Sequence, residues 1–163
     1  MGSGKTTVGR HLAKLLNYEF VDLDHLFEEK YHLSVFDFFE KYDEDAFRKI
    51  ESKLIDEVST KSNLVISTGG GAPCFFDNMD KMKKAGIVVY LQMAVKSLAH
   101  RLSNAKKVRP ILKNLSEDEL ISFIENQLDK REVFYKQANM TVKGESINID
   151  TLDDAIRPLL LPK

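Results

Sequence analysis

Gly2-Ser3-Gly4-Lys5-Thr6-Thr7, followed at once by Val8-Gly9-Arg10-His11-Leu12-Ala13-Lys14-Leu15-Leu16, is the stretch that decides the fold. Apolar positions 8, 12, 15 and 16 fall on one helical face, so a helix starts at the glycine turn. The turn is the second half of the pattern G-x-x-x-x-G-K-[ST], whose backbone N–H groups cradle phosphates at a helix N-terminus. Around Ser3, the glycines Gly2 and Gly4 let backbone approach phosphate oxygens with no Cβ in the way. Lys5 supplies a point charge for the β- and γ-phosphates of ATP, Thr6 a hydroxyl for Mg²⁺, and Thr7 reaches toward the α-phosphate. A glycine turn with an incidental lysine is the bland alternative, opposed by the helix that follows directly.

The first glycine of that pattern, and the β-strand that ordinarily precedes it, would lie upstream of Met1. The expectation is that Met1 is an internal methionine of the natural protein, or an internal start codon, with about ten residues of strand and loop before it.

Downstream, strand-like runs at Glu19 to Leu23, Asn63 to Thr68, Ile87 to Leu91 and Ser146 to Ile149 are short and β-branched, as buried parallel strands are. Helical spacing around 34–60, 76–85, 94–103 and 116–138 separates them. This βα alternation predicts a three-layer α/β/α fold around a parallel sheet. Two stretches fit simple βα units poorly: 24–50, rich in Phe and acidic residues, and 104–115, polar with Lys106, Lys107 and Arg109. Both read as mobile insertions that close over a ligand beyond the carboxyl ends of the strands.

Composition narrows the function. At 163 residues the chain suits one domain. With 43% hydrophobic and 30% charged residues it is a folding, globular sequence. Lys and Arg (24) nearly balance Asp and Glu (25), so no overall positive field draws in nucleic acid. Apolar runs such as Ile87-Val88-Val89-Tyr90-Leu91 fall far short of the ~20 residues that span a bilayer. The one cysteine, Cys74, has no partner for an internal disulfide and reads as a small buried hydrophobe. The expectations are a cytoplasmic protein, no membrane, no nucleic-acid partner and a monomer.

Asp22-Leu23-Asp24 ends a strand, where residues two apart point the same way, so both carboxylates could face one site. Asp22 would hold Mg²⁺ through water and Asp24 would take a hydrogen bond or proton from an attacking hydroxyl; a helix N-cap or solvated loop acids stay open. Arg48 and Glu51 share a helix face, either as a surface ion pair or with Glu51 orienting the guanidinium toward a substrate carboxylate. Gly69-Gly70-Gly71 closes a strand at high entropic cost, which suggests backbone passing close to a ligand. Arg109 could close on ATP phosphates and Arg131 could join Arg48; a solvated lid charge and a helix-dipole partner are the alternatives.

In order and spacing, the glycine loop with Lys5-Thr6-Thr7, Asp22-x-Asp24, Phe47-Arg48-x-Ile50-Glu51, Gly69-Gly70-Gly71, Arg109-Pro110 and Arg131-x-x-x-Tyr135 resemble the shikimate kinase family over nearly the whole chain. The resemblance implies a P-loop kinase fold with a five-stranded parallel sheet, its first strand missing from residues 1–163. It implies one domain over 1–163, with a substrate-binding segment about 24–53 and a mobile lid about 104–116. The implied activity is ATP- and Mg²⁺-dependent phosphorylation of shikimate at its 3-hydroxyl. Gly2, Ser3, Gly4, Lys5, Thr6, Thr7 and Arg109 would bind ATP, and Thr6 and Asp22 the metal. Asp24, Arg48, Gly69, Gly70, Gly71 and Arg131 would bind shikimate, with Asp24, Lys5 and Arg109 in the catalytic roles. The adenine contact is open, with Arg101 and Leu102 both near the family's position for a second lid arginine. Rival readings are a gluconate or nucleoside-monophosphate kinase of the same fold, or a nucleotide-binding module without catalysis.

Overall fold

The computed structural model describes residues 2–104 and 115–160. Helix α1 (Lys5–Leu16) leads to β1 (Glu19–Asp22), then α2 (Leu23–Tyr31), α3 (Val35–Lys41), α4 (Glu44–Val58) and β2 (Leu64–Ser67). A 3-10 turn at Ala72–Cys74 precedes α5 (Asn78–Ala85), β3 (Val89–Gln92), α6 (Val95–Ser103), α7 (Glu117–Tyr135), β4 (Met140–Lys143) and α8 (Ile149–Leu160). Among the described residues the strands form two parallel pairs. Glu19 to Asp22 runs beside Leu64 to Ser67, and Val89 to Gln92 beside Met140 to Lys143.

Alternation along β2 sets the layers, because successive side chains face opposite ways. Val65 packs with Leu12 of α1 and with Leu152 and Ile156 of α8, while Leu64 and Ile66 pack with Leu23, Leu54 and Ile55 of α2 and α4. On the second pair, Val89, Met140 and Val142 join the α1–α8 cluster, and Tyr90 stacks on Tyr135 of α7. The result is α/β/α. Between the two pairs lies a cavity of about 630 Å³, lined by Leu12, Val65, Val89, Leu91, Leu152 and Ile156 and reaching Lys5, Gly70 and Tyr135 at one end.

The Phe-rich stretch 24–50 is helical, in α2, α3 and the first half of α4, and wraps around Phe27. Phe27 is 1% exposed and meets Phe38 and Phe47 edge-on at 5.4 and 5.3 Å between ring centroids. Ser34 and Asp43 cap α3 and α4 through their side chains, and Ser116 with Glu119 forms a capping box on α7.

One strand moves. Ser146 to Ile149 is no strand; the last strand is Met140–Lys143, whose alternate residues Thr141 and Lys143 are exposed. Ile147 packs beside α8, which accounts for its apolar character. Leu23, read as the end of β1, opens α2.

Because Phe27 is the hub of this aromatic cluster, Phe27→Ala should lose about 3–5 kcal/mol of unfolding free energy. Denaturant melts would register it as a lower midpoint.

Candidate active site

The loop begins the site. Gly4 has φ of 87°, a left-handed conformation that glycine adopts without strain, and its carbonyl accepts the Val8 N–H at 3.0 Å. That turn leaves the first N–H groups of α1 at the mouth of the loop, where the helix dipole favours anions. Lys5 Nζ lies 3.5 Å from Ser3 Oγ, and Thr7 is exposed on the first turn of α1. Thr6 donates its hydroxyl to Asp22 Oδ2 at 2.7 Å. The other carboxylate oxygen of Asp22 accepts the Asp24 N–H at 3.1 Å and so caps α2.

This corrects the reading of Asp22 and Asp24 as neighbours on one strand. Asp22 is the last strand residue and the cap, and Asp24 stands in the first turn of α2. The helical turn, not strand parity, carries Asp24 toward the glycines: its Oδ1 is 3.4 Å from where a Cβ on Gly69 would stand. Thr6 and Asp22 offer hard oxygens of the kind Mg²⁺ takes one or two of from protein, alongside phosphate and water.

Arg48 and Glu51 are not a surface pair. Arg48 is 7% exposed and Glu51 3%. Arg48 Nη1 donates to Glu51 Oε2 at 2.7 Å, and its Nε and Nη2 donate to Glu44 Oε1 at 3.1 and 2.8 Å. The guanidinium lies 4.4 Å over the Phe75 ring and 5.3 Å from that of Phe47, the contact a delocalised cation makes well. Burial opposes charge on Arg48, but Glu51 and Glu44 outweigh it and hold its pKa above the usual value. Burial pushes the Glu51 carboxyl up, against the pull of Arg48 and Arg131, and neighbouring Asp24 adds to the rise. The short bond to a guanidinium that keeps its proton works against that rise and favours the carboxylate. Glu51 Oε1 is buried without a hydrogen-bond partner among the described residues and lies 2.8 Å from the Cβ position of Gly69.

The three glycines leave room for these charges. A Cβ on Gly71 would stand 2.7 Å from Arg48 Cζ, inside the guanidinium's contact distance. Arg131 reaches the same cluster from α7, where its charge acts on Glu51, Cys74 and Tyr135. Loop, Asp24, Arg48, the glycines and Arg131 therefore converge at the carboxyl ends of β1 and β2. Arg109 and most of the 104–116 segment lie outside the described residues.

Several participants take contacts that the sequence did not assign to them. Arg101 donates to Ser3 O and Gly144 O, both at 3.4 Å, and so leans on the loop. Glu44 had a legible signal, its i, i+4 spacing to Arg48. Phe75 had none, since only the fold brings it over the guanidinium. Tyr135 was visible as part of a motif without a role, and its hydroxyl donates to Gly70 O at 2.6 Å. Cys74 is free and partly buried, and burial raises its thiol pKa, as suits a packing residue.

A family model described as shikimate kinase matches residues 1–157. The chain belongs to the shikimate kinase family. The shikimate kinase of Parabacteroides distasonis is 48% identical over 147 residues, 90% of this chain and 85% of that one. A crystal structure of the shikimate kinase from Bacteroides thetaiotaomicron matches with a TM-score of 0.91 at 41% identity, covering 98% of this chain and 93% of that one. A shikimate kinase from Acinetobacter baumannii, solved in complex with shikimate, matches at 0.84 and 36% identity, covering 98% and 88%. These likenesses establish the P-loop kinase fold for this member of the shikimate kinase family.

Gly71→Ala should force the Arg48 guanidinium out of its slot and cost about 1–3 kcal/mol. Thermal melting of the variant checks this, and an unchanged melting temperature would show that Arg48 gives way freely.

Proposed function

We propose that Lys5 and Thr6 on one side, and Asp24, Arg48, Gly69, Gly70, Gly71 and Arg131 on the other, form the cleft in which this shikimate kinase works. The reaction is ATP-dependent phosphorylation of the 3-hydroxyl of shikimate, giving shikimate 3-phosphate and ADP, in aromatic amino-acid biosynthesis. ATP is the co-substrate and Mg²⁺ the metal.

The observation that carries the site reading is Arg48. A buried guanidinium with aromatic rings against it and Glu51 fixing one edge is pre-organised to grip a planar anion. Its Nε–Nη2 edge already holds a carboxylate oxygen, that of Glu44. The carboxylate of shikimate takes that edge in place of Glu44, which is half exposed, with Arg131 supplying a second charge. Asp24, beside Gly69, then receives the 3-hydroxyl, orients it toward phosphorus and takes its proton as the bond forms. Gly2, Ser3, Gly4 and Thr7 hold the phosphate chain, while Lys5 and Arg109 meet the charge that spreads over the transferring group. Thr6 and Asp22 would hold Mg²⁺, whose chemistry here is to neutralise the phosphate oxygens.

The remaining expectations belong to the same proposal: a single kinase domain over 1–163 with a substrate segment at 24–53 and a lid at 104–116, monomeric, cytoplasmic, with neither membrane nor nucleic-acid partner. Among the described residues, no helix is long and apolar enough to cross a membrane.

A coupled assay offering shikimate, gluconate, AMP and CMP should show turnover with shikimate alone; ATP binding without product on any acceptor would instead favour a non-catalytic module. Asp24→Asn should lower kcat by about 10²–10⁴-fold with the ATP dissociation constant unchanged. Arg48→Lys keeps a charge beside Glu51 but loses the planar fork, so KM for shikimate should rise about tenfold or more. Unaltered kinetics in both variants would remove the acceptor-site assignment.

A further inference from the structure

The carbonyls of the three glycines are all committed. Gly69 O accepts the Ala72 N–H at 3.2 Å, Gly71 O the Cys74 N–H at 2.8 Å, and Gly70 O the hydroxyl of Tyr135 at 2.6 Å. The first two bonds are local turns of the chain. The third crosses from residue 70 to the last turn of α7, so at Gly70 this corner is tied from outside itself.

Across a trans peptide the carbonyl and the following N–H point in opposite directions. Fixing Gly70 O on the phenol therefore fixes the Gly71 N–H on the far side of that peptide plane. Arg48 lies against Gly71, with Cζ 2.7 Å from the Cβ position, so the plane stands beside the guanidinium. Glycine on both sides of the plane offers little resistance to its rotation, and a bond from elsewhere is what holds it. Tyr135 is itself fixed: its ring packs on Tyr90 of β3 at 4.9 Å between centroids, and it is one helical turn beyond Arg131, whose charge acts on the same phenol.

We infer that Tyr135 is a positioning residue for acceptor recognition: its hydroxyl locks the Gly70–Gly71 peptide plane and, with it, the setting in which Arg48 and Arg131 receive the acceptor's carboxylate. The inference rests on the acceptor pocket proposed above. Tyr135 touches neither reacting atom, so its loss acts on binding and on the choice of acceptor. Turnover of a bound acceptor is left alone.

The test is steady-state kinetics of the full chain and of Tyr135→Phe, which keeps the ring stack and removes the hydroxyl. Tyr90→Phe, on the other ring of the stack, is the control, and shikimate and its methyl ester serve as acceptors. Tyr135→Phe should raise KM for shikimate about tenfold, with kcat and KM for ATP within roughly twofold of the parent. It should also lower the preference for shikimate over the ester about fivefold or more, because the ester has no carboxylate to lose. Tyr90→Phe should leave that preference intact.

Equal losses on both acceptors, an unchanged KM, or a Tyr135→Phe chain that no longer folds in the presence of shikimate would each overturn the inference in favour of a packing role. Arg48→Lys separates the two readings. If it too spares the acceptor KM, the pocket itself is misassigned; if it raises KM while Tyr135→Phe does not, only the role of Tyr135 fails.

Discussion

A guanidinium buried to 7% exposure is the constraint around which the acceptor side is built. Removing such a charge from water costs several kcal/mol unless its hydrogens are satisfied and its faces covered. Arg48 meets both demands locally: Glu44 and Glu51 take its edges from the same helix, and Phe47 and Phe75 lie against its faces. Each solution restricts a neighbour in turn. Glu51 is buried with it and keeps one oxygen turned toward Gly69, and residue 71 has no room for a side chain. Gly69 and Gly71, costly in backbone entropy, follow from the space these two charged groups occupy.

The phosphate side is tied to the acceptor side through one carboxylate. Asp22 accepts from the Thr6 hydroxyl with one oxygen and from the Asp24 N–H with the other. The same group thus sets the first turn of α1, which frames the phosphates, and the first turn of α2, which carries Asp24.

How much of this was legible depended on the scale of the signal. The loop and α1, the first three strands and helices α5 to α7 all announce themselves by apolar runs or three- and four-residue spacing, and they lie within a few residues of their expected places. The last strand did not. In Met140-Thr141-Val142-Lys143 every second residue is exposed, whereas Ser146-Ile147-Asn148-Ile149, with as many β-branched residues, leads into α8. Local propensity gave way to packing there. In the site, residue types named the participants but not their geometry: Asp24 was placed by strand parity and is carried by a helix. Phe75 over Arg48 and Tyr135 on Gly70 are contacts across long sequence separations, which spacing cannot encode.

The loop also touches both strand pairs. Among the described residues the two pairs do not hydrogen-bond to one another, and their parallel strands bring their carboxyl ends to one side. Apolar packing of α1 and α8 across both pairs keeps them in one layer, but such packing is non-directional. The loop adds directional bonds to each side. Thr6 reaches Asp22 at the end of β1, while Ser3 O accepts from Arg101 of α6, whose guanidinium also reaches Gly144 just past β4. Gly2 lies against Leu102 on the same helix, close enough that a Cβ there would sit 3.2 Å from it. The loop ahead of α1 therefore bears on both halves of the layer at once, on one through Thr6 and on the other through Gly2 and Ser3, so a displacement of its backbone has to be met by both.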